Sequence, residues 1–387
     1  MNSAAPGRDG WVREDPSLKL HPWLGVPKPG SVSVARRVAL VILIAWLPLA
    51  VLSMFSDGAL RTFLPDFAVH FKYLIALPVL VIADASCAPR LSAIARNFLD
   101  AGLVTDADRP RFDAAIASTT RLRDSLAADV GALVLSYVVV AALFYSLPAS
   151  AVTGWRGSQT GGGFSVSPAG WWLLLVSLPL LLTLLLSWAW RWFLWARFLW
   201  LMARLDLQLV PSHPDRAGGL RFAAYSVSAC MPFGIALGAL IAGDVANAVV
   251  HQGAPLLGYR YLVIEVVAVS VAFFTSPLLV FFGQLLTTWR RGVFAYGALA
   301  DRFGHQFERR WLGRDSPIDE SVLERPDFSA ATDLYQVVDR VHDMRLVPID
   351  LRSVVMLAIA TLLPFVPVVL MALPFNAILD RLGDLLL

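Results

Sequence analysis

Residues 171–190 read WWLLLVSLPLLLTLLLSWAW, a run of twenty residues without a charged side chain. A helix of this length rises about 30 Å, which matches the hydrocarbon core of a lipid bilayer. Tryptophans stand at both ends of the run, where indole rings prefer the level of the headgroups. Arginines follow at Arg191, Arg197 and Arg204. The stretch therefore predicts a membrane-spanning helix that continues past the bilayer on an arginine-rich side.

The composition of the whole chain agrees with a membrane protein. Of its 387 residues, 57% are hydrophobic and only 16% are charged, and the mean hydropathy is +0.64. A soluble domain is about a quarter charged, so this chain lacks the polar surface that would keep it dissolved. The same composition excludes a disordered chain, a collagen and a disulfide scaffold. The two cysteines, Cys87 and Cys230, match no metal or redox spacing, and we expect both to be buried apolar residues.

Seven stretches are long and apolar enough to span a bilayer. Each must be helical, because lipid offers no partner to an unpaired backbone N–H or C=O group. Six of them contain no charged residue, whereas the second contains His70, Lys72 and Asp84. The predicted spans are Val38–Ser56, Phe67–Ala88, Val130–Trp155, Gly157–Trp190, Phe222–Gly243, Val266–Trp289 and Ser353–Leu379. The sequence thus predicts an all-α polytopic bundle of seven transmembrane helices.

The basic residues predict the orientation of this bundle. With the N-terminus in the cytoplasm, 27 of the 32 lysines and arginines fall inside and five fall outside. Such a bias sets the orientation of membrane helices, so we predict a cytoplasmic N-terminus and an outer C-terminus. The preference for arginine over lysine is typical of a GC-rich bacterial genome, and we expect a multi-pass protein of the bacterial inner membrane. Because topology accounts for the net charge of +3, nucleic-acid binding is not indicated.

The domain organisation follows from these spans. We predict a cytoplasmic N-terminal segment at residues 1–37 and the seven-helix domain at residues 38–374. The apolar residues of 375–387 fall along one side, which predicts an amphipathic segment at the outer interface.

Two insertions lie on the cytoplasmic side, at residues 89–129 and 290–352. The second has helical patterns near Val293–Phe307 and Ala330–Met344. Neither insertion is long or apolar enough for an independent catalytic core. We expect helices that pack together beneath the bundle, for assembly or for gating.

No signature of enzyme chemistry occurs in the sequence. The chain has no HExxH, paired CxxC, GxSxG or Walker motif and no GxGxxG after a strand. Its six histidines fall in separate segments on both predicted sides of the membrane. The glycine-rich outer loop at residues 156–170 lacks a Gly-Lys-Ser/Thr sequence and predicts a flexible linker. We therefore predict no enzyme activity, no metal site and no cofactor.

Span two carries the first candidate site. An ionisable side chain in hydrocarbon costs free energy, which makes Asp84, Lys72 and His70 candidates for a polar pathway. Asp84 lies about 18 Å beyond Lys72 along the helix, so these two cannot pair directly. Lys72 and His70 stand near the outer end, where a lysine can reach the headgroups. Asp84 must face the bundle, a water-filled vestibule or a cation such as the arginines of span four. It is either part of an ion pathway or a structural carboxylate.

Two further clusters lie outside the hydrocarbon. One surrounds the outer loop between spans five and six and forms either an external vestibule or a set of residues that pair with one another: Asp244, His251, Arg260 and Glu265. The other is the cytoplasmic turn at residues 211–219, PSHPDRAGG, which forms either a structural elbow or a ligand site. Its candidate residues are His213, Asp215, Arg216, Gly218 and Gly219.

Prolines stand near the middle of most predicted spans. A proline leaves the carbonyl four residues before it without its usual donor and kinks the helix. Such kinks permit gating in channels and transporters, but they also occur in static bundles. The prolines are Pro48, Pro78, Pro179, Pro232, Pro277, Pro364 and Pro367.

Three segments resemble a group of uncharacterised bacterial polytopic membrane proteins. They are Asp66–Asp84, Arg204–Leu220, which contains HPDRAGGL, and Met344–Leu362. The resemblance covers most of the chain and implies a multi-pass membrane fold without an assigned activity. In layout alone, seven spans with a large cytoplasmic block before the last are similar to gustatory-receptor-type channels, with which the chain shares no motif.

These observations leave two function classes open. The first is a channel or transporter for an ion or small solute, with span two as its polar pathway. The alternative is a non-transporting sensor or assembly scaffold whose cytoplasmic helices bind a partner protein. We expect the protein to be embedded in the lipid bilayer. Whether it forms a homo-oligomer, and whether it binds a cytoplasmic protein, are left open by the sequence. A closely packed interior in which an arginine neutralises Asp84 would favour the scaffold.

Overall fold

The computed structural model describes residues 33–55, 58–146, 154–160, 163–312 and 327–372. Within these ranges the regular secondary structure is helical apart from one two-stranded hairpin. The predicted N-terminal segment as far as residue 32 and the predicted amphipathic segment at 375–387 lie outside the described residues. We name the two ends of the bundle inner and outer, according to the orientation that the basic residues predict.

The first half of the described chain contains the helices α1 to α8. Their bounds are α1 Val34–Ala45, α2 Leu47–Met54, α3 Ala59–Phe63, α4 Phe67–His70, α5 Leu77–Asp100, α6 Arg109–Arg123, α7 Leu126–Ser146 and α8 Pro168–Trp172. The two strands are β1 Gly157–Thr160 and β2 Gly163–Val166.

The second half contains α9 to α16. Their bounds are α9 Leu178–Met202, α10 Tyr225–Ala229, α11 Met231–Gln252, α12 Arg260–Thr275, α13 Phe282–Trp311, α14 Asp327–His342, α15 Leu351–Leu362 and α16 Phe365–Ala372. Short π-helical and 3-10 segments join several of these helices: Phe71–Ala76 and Leu173–Ser177 are π-helical, and Gly154–Arg156, Arg221–Ala224, Leu256–Tyr259 and Ser276–Phe281 are 3-10.

The described residues form six helices that are long and apolar enough to cross a membrane, and a seventh if one bent pair counts as a single span. The bent pair is Leu351–Leu362 with Phe365–Ala372, which meet at 49° around Pro364. The six are Val34–Met54, Phe67–Asp100, Leu126–Ser146, Pro168–Met202, Arg221–Gln252 and Leu256–Trp311. This confirms the predicted all-α polytopic membrane bundle.

The three longest of these helices far exceed the length that a bilayer requires. The second, fourth and sixth have 34, 35 and 56 residues, whereas about 20 cross the hydrocarbon. Each extends past the bundle at its inner end, so the predicted insertions at 89–129 and 290–352 begin as continuations of spans. In α5 this extension buries Leu91, Ile94 and Phe98.

Two spans contain a π-helical turn shortly before a proline. The turn Phe71–Ala76 precedes Pro78, and the turn Leu173–Ser177 precedes Pro179. A proline ring collides with the carbonyl four residues earlier, and a locally wider turn relieves that collision. The prolines therefore change the local helix type while both spans continue.

The helix α11 lies at the centre of the bundle and is packed through glycines. A Cβ atom on Gly238 would overlap the carbonyl oxygen of Thr361 in α15, and one on Gly234 would meet the Thr361 hydroxyl at 2.8 Å. On another side, a Cβ on Gly243 would lie 2.8 Å from the Cβ of Phe71. Small residues permit such close approach of helices in lipid, where packing rather than water exclusion drives association.

The glycine-rich outer loop is folded, so the prediction of a flexible linker was wrong for its strand residues. Strands β1 and β2 pair antiparallel, with Gly157 opposite Val166. Ser167 fixes the end of the hairpin, because its hydroxyl donates to the Trp155 carbonyl (2.6 Å) and accepts from the Gly170 N–H (2.9 Å). The composition of the loop indicated flexibility, whereas backbone pairing and this cap hold it in place.

Candidate functional site

Asp84 of α5 forms an ion pair with Arg191 of α9. The two side chains are only 7% and 18% exposed. The Arg191 guanidinium also lies 5.5 Å from the centre of the Trp188 ring, and the Trp188 indole donates to the Leu80 carbonyl (3.2 Å). Of the three surroundings open to Asp84 from the sequence, the structure has the arginine of span four.

Lys72 and His70 have partners of their own. The Lys72 ammonium lies 3.0 Å from the Asp244 carboxylate on α11. His70 Nδ1 accepts a hydrogen bond from the Trp46 indole (3.0 Å), which leaves its Nε2–H to donate to the Leu64 carbonyl (2.9 Å). Asp84, Lys72 and His70 therefore make three separate contacts, and the structure does not bring them together.

The four residues around the outer loop are also apart. Asp244 pairs with Lys72 and with none of the other three. Glu265 is exposed on α12. The two remaining residues contact aromatic neighbours: the His251 ring is 5.8 Å from that of Phe67, and the Arg260 guanidinium is 4.7 Å from the centre of the Tyr261 ring.

Asp66, at the outer start of span two, holds a cluster to which the sequence assigned no role. Its carboxylate accepts from the Trp155 indole (2.9 Å), the Arg156 guanidinium (2.8 Å) and the Asn247 amide (2.8 Å). Asn247 in turn accepts the Phe67 N–H (2.8 Å). Burial would raise the pKa of Asp66, but Arg156 and these hydrogen bonds hold it below its ordinary value. The only signal in the sequence was an acid directly before a span.

The elbow, which we define as residues 203–221, is built around the Asp215 carboxylate. This group accepts the backbone N–H groups of Ala217 (2.8 Å), Gly219 (3.1 Å) and Arg221 (3.1 Å), and His213 Nδ1 lies 2.7 Å away. Burial would raise the pKa of Asp215, but the three backbone donors together lower it below its ordinary value. In an irregular turn these backbone N–H groups have no carbonyl acceptor, and the Asp215 carboxylate takes the place of that acceptor.

Backbone conformation explains the glycines of the elbow. Gly218 and Gly219 have φ angles of +64° and +98°, in the region that favours glycine. Arg216 also has a positive φ, +58°, and it is the residue whose carbonyl accepts the Arg345 N–H at 2.7 Å. The turn is therefore shaped to meet the segment that precedes α15.

Two ion pairs join the elbow to that segment. The Arg216 guanidinium lies 3.2 Å from Asp343, and Arg221 lies 2.7 Å from Asp350. Asp350 also caps α15 by accepting the Ser353 N–H at 3.2 Å. The start of the bent seventh span is thereby fixed to the elbow.

Other contacts of the elbow reach the remaining inner helices. Gln284 of α13 donates to the Leu205 carbonyl (2.7 Å), and the Gln208 N–H donates to the Leu103 carbonyl (2.9 Å). With the ion pairs, these bonds make the elbow the junction of the inner helices. Each of its five candidate residues therefore has a structural role. His213, Asp215 and Arg216 form contacts in the elbow or with the segment before α15, and Gly218 and Gly219 supply the positive φ angles.

Three arginines in and just after α9 bind within the protein. Arg191 pairs with Asp84, and Arg197 donates to the hydroxyls of Ser118 and Thr119 on α6, both at 3.2 Å. Arg204 lies over the Trp200 ring, 3.5 Å from its centre. Arg197 thereby attaches the inner helix α6 to span four.

Carbonyls that prolines leave without a donor are bonded by side chains of neighbouring spans. Each lies four residues before a proline, at Pro48, Pro179 and Pro277. The bonds are Trp172 to the Ile44 carbonyl (3.0 Å), Tyr137 to the Leu175 carbonyl (2.9 Å) and Trp192 to the Phe273 carbonyl (3.1 Å). Sequence reasoning identified the kinks but not these partners, because each donor comes from a different span.

No group of three or more His, Cys, Asp or Glu residues that could hold a metal ion occurs among the residues that the structure describes. A shallow groove of about 550 Å³ lies on α6, away from all of the predicted site residues. Comparison of the chain with family models, with curated proteins and with solved structures finds no match in any of the three.

Proposed function

We propose that this multi-pass membrane protein is a non-transporting assembly scaffold, whose helix bundle holds a layer of helices at the inner face of the membrane. The observation that carries the proposal is the ion pair between Asp84 and Arg191. A transport pathway through Asp84 would need its carboxylate open to a proton or a cation. A guanidinium group occupies that place, and arginine keeps its proton in proteins.

The bonds at the prolines also support a scaffold. A kink that opens and closes a pathway must exchange the partner of its freed carbonyl. In this bundle an indole or a phenol from another span bonds that carbonyl at three prolines, Pro48, Pro179 and Pro277. Each opening would break a hydrogen bond inside lipid, where no water replaces it.

Such a scaffold would offer its inner helices as a binding surface for other proteins. The Asp215 carboxylate holds the elbow together. The elbow then contacts the other inner segments through two ion pairs, with Asp343 and Asp350, and through the hydrogen bond that it accepts from Gln284. An arrangement with this many bonds at one junction suits a rigid support for other proteins.

A transporter remains the second candidate because of one exposed ion pair. The side chains of Lys72 and Asp244 are 30% and 56% exposed at the outer end of spans two and five. Charges that are both paired and exposed could receive a solute from outside.

Flux measurements in proteoliposomes test the proposal. Purified protein is reconstituted with a pH-sensitive dye inside, and proton and potassium fluxes are followed after an imposed gradient. A scaffold gives the flux of protein-free liposomes for the wild type, for Asp84→Asn and for the matched variant Asp244→Asn. The proposal fails if the wild type conducts either ion above that background. Loss of that flux in Asp84→Asn but not in Asp244→Asn would then assign the pathway to Asp84.

A further inference from the structure

The helices α13 and α14 form a hairpin that projects from the inner end of span six. We call residues 290–311 of α13 together with α14 the stalk hairpin. Its helices contact each other along their length: the Phe307 and Phe328 rings are 5.1 Å apart, and at the other end Trp289, just before the hairpin, donates to the His342 carbonyl at 3.4 Å. With 30 residues, α13 is about 45 Å long. The base of the hairpin contacts the elbow, where the Tyr296 and Ser212 hydroxyls are 3.0 Å apart.

The apolar surface of the stalk hairpin is only half covered. No residue of α13 from Val293 to Trp311 is buried. Phe294 is 79% exposed and Phe328 and Tyr335 are each 49% exposed. Two helices alone leave part of an apolar stripe uncovered, and contiguous exposed apolar surface marks interaction sites.

The two helices carry opposite charges. The α13 part of the hairpin has five arginines and two acids, whereas α14 has three aspartates and one arginine. Arg302, Arg309, Asp333 and Asp339 are all exposed, and within the described ranges none of these four forms an ion pair. The hairpin thus has a basic helix and an acidic helix, and these four exposed charges lie outside the ion pairs of the described residues.

We propose that the stalk hairpin binds the stalk hairpin of a second copy of this chain. Two copies in one membrane share one orientation, so a twofold axis between them runs along the membrane normal. Both hairpins then stand at the same height, and α13 of each copy can face α14 of the other. This pairing brings basic residues to acidic residues twice, whereas α13 against α13 would bring arginines together.

The inference deepens the proposed scaffold function, on which it rests, by naming the partner. A second copy fits the surface better than an unrelated protein for two reasons given by the structure. The charges on α13 and α14 complement each other, and the membrane holds the two hairpins in register. The result would be a four-helix bundle beneath a pair of membrane domains.

Charge exchange between chains tests the contact. Variant A carries Arg302→Glu and Arg309→Glu, so both of its helices are acidic. Variant B carries Asp333→Arg and Asp339→Arg, so both of its helices are basic. We expect the wild type to form dimers in lipid nanodiscs or liposomes, measured by native mass spectrometry and by energy transfer between labelled copies. The dimer dissociation constant of A alone or B alone should rise about tenfold, because attraction becomes repulsion at two symmetric places.

Mixing A with B gives the decisive result. The acidic hairpin of A complements the basic hairpin of B, so heterodimers should return to within about threefold of wild-type affinity. A control that reverses exposed charges on α6, Arg109→Glu with Asp113→Arg, should leave the wild-type dimer unchanged. A chain with all four hairpin substitutions keeps opposite charges within its hairpin, so it should dimerise and will report whether A and B lose binding through misfolding.

A monomeric wild type, or failure of A and B to associate, would overturn the inference. If the wild type is a monomer and liposomes that contain it stay impermeable, the second copy is not the partner, but the scaffold proposal is unaffected. Flux through a dimer would instead remove the scaffold proposal and leave this contact standing.

Discussion

The indole of Trp192 donates to the carbonyl of Phe273, which lies four residues before Pro277 on a different span. Pro277 has no N–H to offer that carbonyl, and two side chains donate to it instead, the Trp192 indole (3.1 Å) and the Ser276 hydroxyl (3.0 Å). Trp192 is buried, and so is Phe274 beside the kink, with the two rings 4.9 Å apart. Spans four and six are therefore joined where one of them is least regular.

Replacing this donor should weaken the bundle by the value of one buried hydrogen bond. Trp192→Phe leaves the Phe273 carbonyl without its indole donor, and we expect a loss of about 1 kcal/mol in the free energy of unfolding. In a Pro277→Ala background the backbone N–H returns, so the same substitution should cost less. Thermal unfolding of the four proteins in one detergent measures this coupling. Equal costs in both backgrounds would show that the bond does not compensate for the proline.

The Asp84–Arg191 pair should be costly to break and inexpensive to replace as a whole. Arg191→Gln leaves a buried carboxylate without its partner, and we expect a loss of about 3 kcal/mol. Asp84→Leu combined with Arg191→Leu removes both charges and should fall within about 1 kcal/mol of the wild type. Chemical unfolding in micelles compares the two. A double variant less stable than Arg191→Gln would mean that the charges themselves specify the fold.

Two glycine substitutions should have opposite effects on stability. Gly238→Ala places a methyl group against the Thr361 carbonyl and should cost more than about 2 kcal/mol, because two backbones must separate. Gly283→Ala, in the first turn of α13, meets nothing within 4 Å and should stabilise the protein by about 0.5 kcal/mol. Melting temperatures of the two single variants provide the test. Similar values for both would contradict the close packing of α11 on α15.

The elbow should lose its stability in acid. The pKa of Asp215 lies below its ordinary value of 3.8, so the ionised carboxylate stabilises the folded protein. This contribution is complete above the ordinary pKa and is lost as pH falls through the lowered value. In Asp215→Asn the melting temperature should change less between pH 6 and pH 3 than in the wild type. Asp113→Asn, which changes an exposed acid within α6, serves as the comparison, and an equal change in both variants would argue against the prediction.

Much of the fold follows from the sequence because lipid acts as a uniform solvent. Hydropathy identifies spans such as 171–190, and the cost of a charge in hydrocarbon singled out Asp84. The sequence also limited the surroundings of Asp84 to three possibilities, one of which was an arginine of span four. The glycine-rich strands 157–160 and 163–166 were missed, since their stability comes from pairing and from one serine cap.

Partners between distant segments could not be predicted in the same way. Asp244 was grouped with its neighbours in sequence, but it pairs with Lys72, which is 172 residues away. Asp66 was not recognised as a site because an acid at the edge of a span breaks no rule of hydropathy. Which side chains meet depends on how each helix is rotated about its axis, and a nearly uniform apolar surface carries little information about rotation.

The glycine surface of α11 has a consequence for how the protein is made. Gly238 leaves the ribosome about 120 residues before Thr361, the residue it packs against, an interval on the order of ten seconds at ordinary rates of translation. During that time a notch in the nascent bundle has no helix to fill it. Lipid tails or the insertion machinery must cover the notch until α15 arrives, so the close packing of α11 is completed only late in synthesis.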